Sequence, residues 1–322
     1  MPAKFARLDY VKTLDDVPVQ FNVVKQNVEN NLIWYIDKFN PLVITECAIA
    51  GEVGVKVLLP LTKNESITDM ARTRKIISRT IENLKTNEVE IILPPDNVMV
   101  ERKNGISVAD GTNLFPFFIC QAIQKWAMAA RRDLRRCEAV IINAQYRVTE
   151  SVLDHICNNL NFVTVMNLDG DRTLVSDKAD RIFDETGLNV VVRGKNKAVL
   201  KTADIIINTA SSDFDTAYKR GAVVFDLSGD IERRKTLITR RPDVSVIDGL
   251  ILNYKNTSIP LTFFELALYL KNRHFRYIVS KHYDTESGEM VQRDIKKMGL
   301  SVASFTRLGQ VVKPLPTTRN NF

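Results

Sequence analysis

Cysteine, histidine and tryptophan are scarce in this chain of 322 residues, which holds four, three and two of them. The cysteines (Cys47, Cys120, Cys137 and Cys157) are scattered, with no C-x-x-C pair. Neither a zinc ribbon nor a disulfide framework is therefore expected, and the thiols read as reduced. His155, His274 and His282 lack metal-ligand spacing, so no metal is expected. No apolar run is long enough to span a bilayer, and Met1–Asp15 lacks the apolar core of a signal peptide, so a cytoplasmic location is the expectation. Low-complexity segments are missing too. What remains is ordinary globular composition, 45% hydrophobic and 26% charged, in a chain long enough for two domains.

Charge leans to one sign, with a net +7. The basic residues gather at Arg131-Arg132-Asp-Leu-Arg135-Arg136, Arg233-Arg234-Lys235, Arg240-Arg241 and Lys271 to Arg276. These clusters are short, fall near expected helix ends and carry no interleaved aromatics. They read as solvated helix ends rather than as a nucleic-acid surface.

Ala139-Val-Ile-Ile-Asn-Ala-Gln-Tyr-Arg-Val-Thr-Glu-Ser-Val152 organises the rest. Ala139 to Ile142 form a short continuous apolar run, as a strand covered on both faces should. Val152, Leu153 and Ile156 then follow at helical spacing. The unit repeats: strand 162–166, helix 177–185, then strands 189–192, 204–208, 222–226 and 244–247. Alternation of this kind predicts a doubly wound parallel sheet.

The first part of the chain has a similar rhythm. Val17–Val24 alternates like a strand, and Asn31–Phe39 has helical spacing. Strands follow at 42–48, 55–61 and 89–93, with an amphipathic helix over Asp69–Leu84 and a turn marked by Gly51 and Gly54. A parallel sheet is expected here as well. A long apolar helix starts near Pro116 and runs to about Arg132. The expected division is an α/β domain over 1–112, completed by C-terminal helices at 258–312. The connecting helix and a Rossmann-like domain occupy 113–257, and 313–322 is a loose tail. The fold class is thus α/β in two domains, the second a doubly wound Rossmann-like parallel sheet.

Several stretches, in this order, resemble the shikimate dehydrogenase-like and amino-acid dehydrogenase-like superfamily, and more distantly the glutamyl-tRNA and acyl-carrier reductases. Gly54-Val-Lys-Val-Leu-Leu-Pro-Leu-Thr-Lys63 is similar to the strand and proline turn that carries the family's catalytic lysine, though Lys63 stands one residue late. Asp110-Gly111 falls where the family has Asn-Thr-Asp-Gly, with Val108 and Ala109 in place of Asn and Thr. Ala203-Asp-Ile-Ile-Ile-Asn-Thr209, Gly221-Ala-Val-Val-Phe-Asp-Leu227 and Val246-Ile-Asp-Gly-Leu250 match three successive strands. The resemblance covers about residues 50 to 275. It implies Lys63 and Asp110 as an acid–base pair for hydride transfer. It also implies a nicotinamide site around Asn143, Gln145, Arg147, Asn167, Asp169, Asn208 and Ala210, and a substrate side at Asn113, Tyr254 and Asn256.

The family's glycine turn is degenerate. Asn143, Gln145 and Val148 stand at the three places of G-x-G-x-x-G. Glycine there lets backbone N–H groups approach a pyrophosphate, so NAD(P) is the suspected cofactor with weak or absent binding. No arginine follows Asn167-Leu168-Asp169 to hold a 2′-phosphate, whereas Asp169 suits a ribose hydroxyl or a solvated loop equally. Lys255 stands where the acyl-carrier reductases have their cysteine, which removes thioester chemistry. Tyr277-Ile-Val-Ser-Lys281 spells Y-x-x-x-K but lies after the last Rossmann strand, in the wrong place for that chemistry. Three readings stay open: a dehydrogenase with a divergent cofactor site, a non-catalytic scaffold for another ligand or protein, and a phosphate or nucleic-acid binder. The expected partners are a small anionic ligand and a second copy in a homodimer, without membrane or nucleic acid.

Overall fold

The computed structural model describes residues 3–10, 43–59, 61, 66, 69–85, 89–95, 100, 105–168, 172–211 and 217–313. Val17–Val24, Asn31–Phe39 and most of the expected tail lie outside them. The chain forms two compact units, one from 1–110 with 265–271 and one from 111–264 with 272–322.

The first unit carries a five-stranded sheet in the order β2-β3-β1-β4-β5. Its strands are β1 (Phe5–Tyr10), β2 (Val43–Ile49), β3 (Glu52–Leu59), β4 (Ile91–Leu93) and β5 (Ser107–Val108). β3, β1, β4 and β5 run parallel. The expectation of a wholly parallel sheet is corrected at its edge, where β2 pairs antiparallel with β3. The two-residue loop Ala50-Gly51 has φ of 54° and 75°, the left-handed pair of a type I′ turn, whose twist matches that of the flanking strands. Gly54 is a strand residue and not a turn: an added Cβ there would run into the Phe5 ring. Helix α1 (Met70–Lys85) buries Ile76, Ile77, Thr80, Ile81 and Leu84, the face its periodicity predicts. They pack with Leu8, Val57, Leu59 and Ile92 of the sheet.

The second unit opens with a 3-10 turn, Phe115–Phe118, with Pro116 in its first turn, and continues as α2 (Ile119–Ala130). Then come β6 (Glu138–Asn143), α3 (Tyr146–Ile156), β7 (Phe162–Asn167), α4 (Thr173–Thr186) and β8 (Val190–Arg193). β9 (Ile205–Asn208), β10 (Val223–Asp226), α5 (Ile231–Arg240) and β11 (Ser245–Ile247) complete the series. The sheet order is β8-β7-β6-β9-β10-β11, and each neighbouring pair is parallel. Counted from its first strand this is 3-2-1-4-5-6, the doubly wound nucleotide-binding order. β9, β10 and β11 are buried at every residue, which is why apolar residues dominate their sequences.

The C-terminal part departs from the helices expected over 258–312. β12 (Gly249–Tyr254), β13 (Thr257–Pro260), β14 (Ser301–Arg307) and β15 (Gln310–Val312) form an antiparallel sheet in the order β13-β12-β14-β15. Two further two-residue loops, Lys255-Asn256 (φ 46° and 64°) and Leu308-Gly309 (φ 51° and 72°), close its hairpins. Between them lie α6 (Leu261–Lys271), α7 (Arg273–Ser280) and α8 (Thr285–Lys297). The sequence groups all of 258–312 with the first domain, whereas only 265–271 of that stretch fall in the first unit. In the second unit Gln121 of α2 accepts the Val302 N–H at 3.0 Å, and Tyr283 donates to Asp154 of α3 at 2.9 Å.

Candidate functional site

In a sheet of this order, neighbouring strands turn away from each other between the first and fourth, here β6 and β9, and ligands collect beyond their carboxyl ends. Asn143 closes β6 and is buried, as are Asn167 at the end of β7 and Asn208 at the end of β9. Buried amides must be hydrogen-bonded. Asn143 donates through Nδ2 to Asn167 Oδ1 at 2.8 Å and accepts from the Thr149 hydroxyl at 2.8 Å. It thus ties two strands to α3 instead of pointing at a ligand. Thr209 closes the other side: its hydroxyl donates to the Ile142 carbonyl at 2.9 Å and accepts the Ala144 N–H at 3.0 Å.

The turn from β6 into α3 is built without any positive φ. Gln145 begins the helix with no side-chain cap; its Nε2 reaches across the switch point to the Thr209 carbonyl at 3.4 Å. Tyr146 reaches the other way and donates to the Leu174 carbonyl at 3.2 Å, at the start of α4. Burial pushes its phenol up to about 12, so it stays a donor across the working range. Side chains are thus hydrogen-bonded on both flanks of the turn.

Arg147 takes a third direction. Its guanidinium donates to the Ile278 and Val279 carbonyls, both at 3.2 Å, and to Asn113 Oδ1 at 3.3 Å. Those carbonyls belong to the last turn of α7, whose partial negative charge suits a cation. Asn113 itself is buried.

At β10 and β11 the strand ends are charged. Asn208 bonds Ala210 in both directions, donating to its carbonyl at 3.0 Å and accepting its N–H at 3.2 Å. It also donates to Asp226 Oδ1 at 2.8 Å. Asp226 Oδ2 accepts Arg234 Nε at 2.9 Å, and Arg234 Nη1 donates to Asp248 Oδ2 at 3.0 Å. All three side chains are at least nine-tenths buried. Burial pushes Asp226 up, but Arg234 and the Ser228 hydroxyl more than offset it and the carboxyl stays below its ordinary value. For Asp248 burial prevails over Arg234 and the Leu308 N–H, and its value is raised. Leu308 N–H and the Thr306 hydroxyl, at 2.6 and 3.4 Å, join Asp248 to β14. The reading of Arg233-Arg234 as a solvated helix end is corrected: Arg234 is buried between two carboxylates, and Arg233 donates to the Ala210 carbonyl and the Tyr218 hydroxyl.

The remaining expected site residues are placed as follows. Lys63 and Asp169 lie outside the described residues. Asp110 stands two residues past β5 and is half-buried. Asn256 is the second loop residue of the β12–β13 hairpin, where positive φ alone accounts for an asparagine. Tyr254 packs against Phe264, ring centroids 6.3 Å apart, with Lys255 Nζ 5.2 Å from its ring. The four cysteines are free; burial lifts Cys120 and Cys137 to about 11 and Cys157 to about 12, so none of these three is a ready nucleophile. Among the described residues no three His, Cys, Asp or Glu stand together to hold a metal. No helix among them is long and apolar enough to cross a membrane.

No family model and no curated protein matches the chain. Solved structures share parts of the fold at low similarity. A Delta(1)-pyrroline-2-carboxylate reductase from Thermococcus litoralis, solved with NADH and L-proline, is 16% identical with a TM-score of 0.27. The match covers 36% of each chain, so this chain spans about a third of that protein's length. Shikimate 5-dehydrogenase from Listeria monocytogenes, with shikimate and NAD, is 8% identical over 90% of this chain and 96% of that one, TM-score 0.34. A ligand-free 5-ketofructose reductase from Gluconobacter sp. strain CHM43 is 9% identical over 91% and 99%, TM-score 0.33.

Proposed function

We propose that the chain is an NAD(P)-dependent oxidoreductase of the shikimate dehydrogenase-like type, with a divergent cofactor site and a small anionic substrate. The observation that carries this reading is the reversal of strand order at β6 and β9, with the polar ends of Asn143, Asn208 and Thr209 gathered there. In this reading the dinucleotide enters only when Gln145 and Tyr146 swing off Thr209 and Leu174, so its affinity is low. When bound, a nicotinamide supplies hydride exchange with the substrate carbon. Lys63 and Asp110 are the acid–base pair we assign on the resemblance, and Asn113, Tyr254 and Asn256 are its substrate-side residues. Asp169 would take a ribose hydroxyl.

A second reading has one observation in its favour. The Gln145–Thr209 and Tyr146–Leu174 bonds fill both flanks of the turn, as expected of a scaffold that takes no dinucleotide and serves another ligand or a protein partner. Calorimetry with NAD, NADH, NADP and NADPH separates the two. Measurable binding of one nucleotide supports the oxidoreductase; no binding to wild type or to a Gln145→Gly variant supports the scaffold. If a reaction is found, Lys63→Ala lowers its turnover by roughly 10²–10⁴-fold, and an unchanged rate removes the acid–base pair.

A further inference from the structure

Two arginines meet at the β7–β8 side of the six-stranded sheet. β7 and β8 run parallel with Met166 beside Arg193, so both strands leave the sheet at the same carboxyl edge. Arg193 closes β8, and Arg172 directly precedes α4, the helix that follows β7. Both are exposed, and no carboxylate among the described residues pairs with either guanidinium.

Arg172 is held in place by a missing side chain. Its guanidinium packs on Gly194, the residue after Arg193. A Cβ added to Gly194 would collide with Arg172 Nη2 and lie 3.2 Å from its Cζ. Gly194 has no positive φ, so the backbone does not require glycine there. The space it leaves is filled by the guanidinium. Charge at this edge also leans one way. The two strand-end loops, 168–172 and 193–197, set Asp169 and Asp171 against Arg172, Arg193, Lys195 and Lys197, a net +2.

We infer that Arg172 and Arg193 form a seat for the 2′-phosphate of NADP(H), and that the chain prefers it to NAD(H). This rests on the oxidoreductase reading above. In a doubly wound sheet the end of the second strand, here β7, reads the adenosine ribose: a carboxylate suits a 2′-hydroxyl and a nearby arginine a 2′-phosphate. No arginine stands directly after Asp169 in the sequence. The fold supplies one from three residues later and a second from the neighbouring strand. A guanidinium fork matches phosphate oxygens, and a phosphate monoester carries about −1.5 to −2 at pH 7. The ribose 3′-hydroxyl is left for Asp169.

Calorimetry on the full chain with adenosine 2′,5′-bisphosphate and with 5′-AMP tests this. The two ligands differ only in the 2′-phosphate, and neither has to bring a pyrophosphate past Gln145. The bisphosphate should bind about tenfold or more tightly than AMP. Arg172→Gln and Arg193→Gln should each remove most of that preference. Gly194→Ala keeps every charge but displaces the Arg172 guanidinium, and should weaken the preference as well. All three changes fall on or beside exposed side chains, and circular dichroism checks that the fold is kept. Equal affinity for the two ligands, no binding of either, or a preference that all three substitutions leave unchanged overturns the inference. NADH titrated in parallel separates the two readings. NADH binding without a bisphosphate preference removes the seat and leaves the oxidoreductase standing. A bisphosphate preference lost in Arg172→Gln supports the seat even where no dinucleotide binds, and it is then the oxidoreductase reading that falls.

Discussion

At the β6–β7 end of the six-stranded sheet, Asn143, Asn167 and Thr149 hold one another through neutral hydrogen bonds. At the β10–β11 end, a guanidinium lies between two buried carboxylates. Both clusters solve one problem, which is that polar side chains at strand ends are buried and need partners. The neutral cluster can lose one member and leave uncharged groups behind. The ionic one cannot, because any single loss strands a buried charge. The ionic end therefore acts as a weld joining β10, β11, α5 and β14. The neutral end, beside the turn with Gln145 and Tyr146, is the cheaper place for side chains to move aside for a ligand.

The sharpest way to break this contrast is at the ionic end. Arg234→Met should cost about 3–5 kcal/mol of unfolding free energy, since Asp226 and Asp248 lose their shared cation. A triple variant that also carries Asp226→Asn and Asp248→Asn should regain much of that loss. Chemical denaturation measures both, and a loss under about 1 kcal/mol for Arg234→Met would remove the weld. At the neutral end, Asn143→Leu removes the bonds to the Thr149 hydroxyl and to Asn167 Oδ1, and about 1–3 kcal/mol is the expected cost.

Titration sharpens the comparison further. The pKa of Asp248 is raised in the fold, so between its unfolded and folded values the folded chain binds more protons. The stability it contributes is full below the unfolded value and is lost as pH rises through the folded one, at no more than about 1.4 kcal/mol per pH unit. Asp248→Asn should therefore gain on wild type as pH rises from about 4. Asn143→Leu titrates nothing and should run parallel to wild type. A gain by Asp248→Asn as pH falls would reverse the assignment.

Much of this fold is legible in the residues themselves. Ala139–Ile142 and Ile205–Ile207 are continuous apolar runs because both faces of their strands are covered, and α1 carries its buried face openly. The hairpins were harder to read. Ala50-Gly51, Lys255-Asn256 and Leu308-Gly309 are type I′ loops without the Asn-Gly or Asp-Gly signal, so β14 and β15 passed for part of a helical tail. Arg234 looks like any basic helix residue until the folding of β10 and β11 brings Asp226 and Asp248 to it. At the turn, the missing glycines could be read from the chain. The acceptors of Gln145 and Tyr146, the carbonyls of Thr209 and Leu174, lie 64 and 28 residues away in sequence and no local pattern announces them. Arg147, legible as a cation beside the turn, also donates to the end of α7, a partner 131 residues distant.

The central claim is that Gln145 and Tyr146 hold the dinucleotide seat closed. Calorimetric titration of NADH and NADPH into wild type and into a Gln145→Gly, Tyr146→Ala double variant tests it most directly. Each added charge-assisted bond from a freed backbone N–H contributes about 1.5–3 kcal/mol, so the variant should bind at least one nucleotide tenfold or more tightly than wild type. Micromolar binding by wild type that the double variant does not improve would contradict the account.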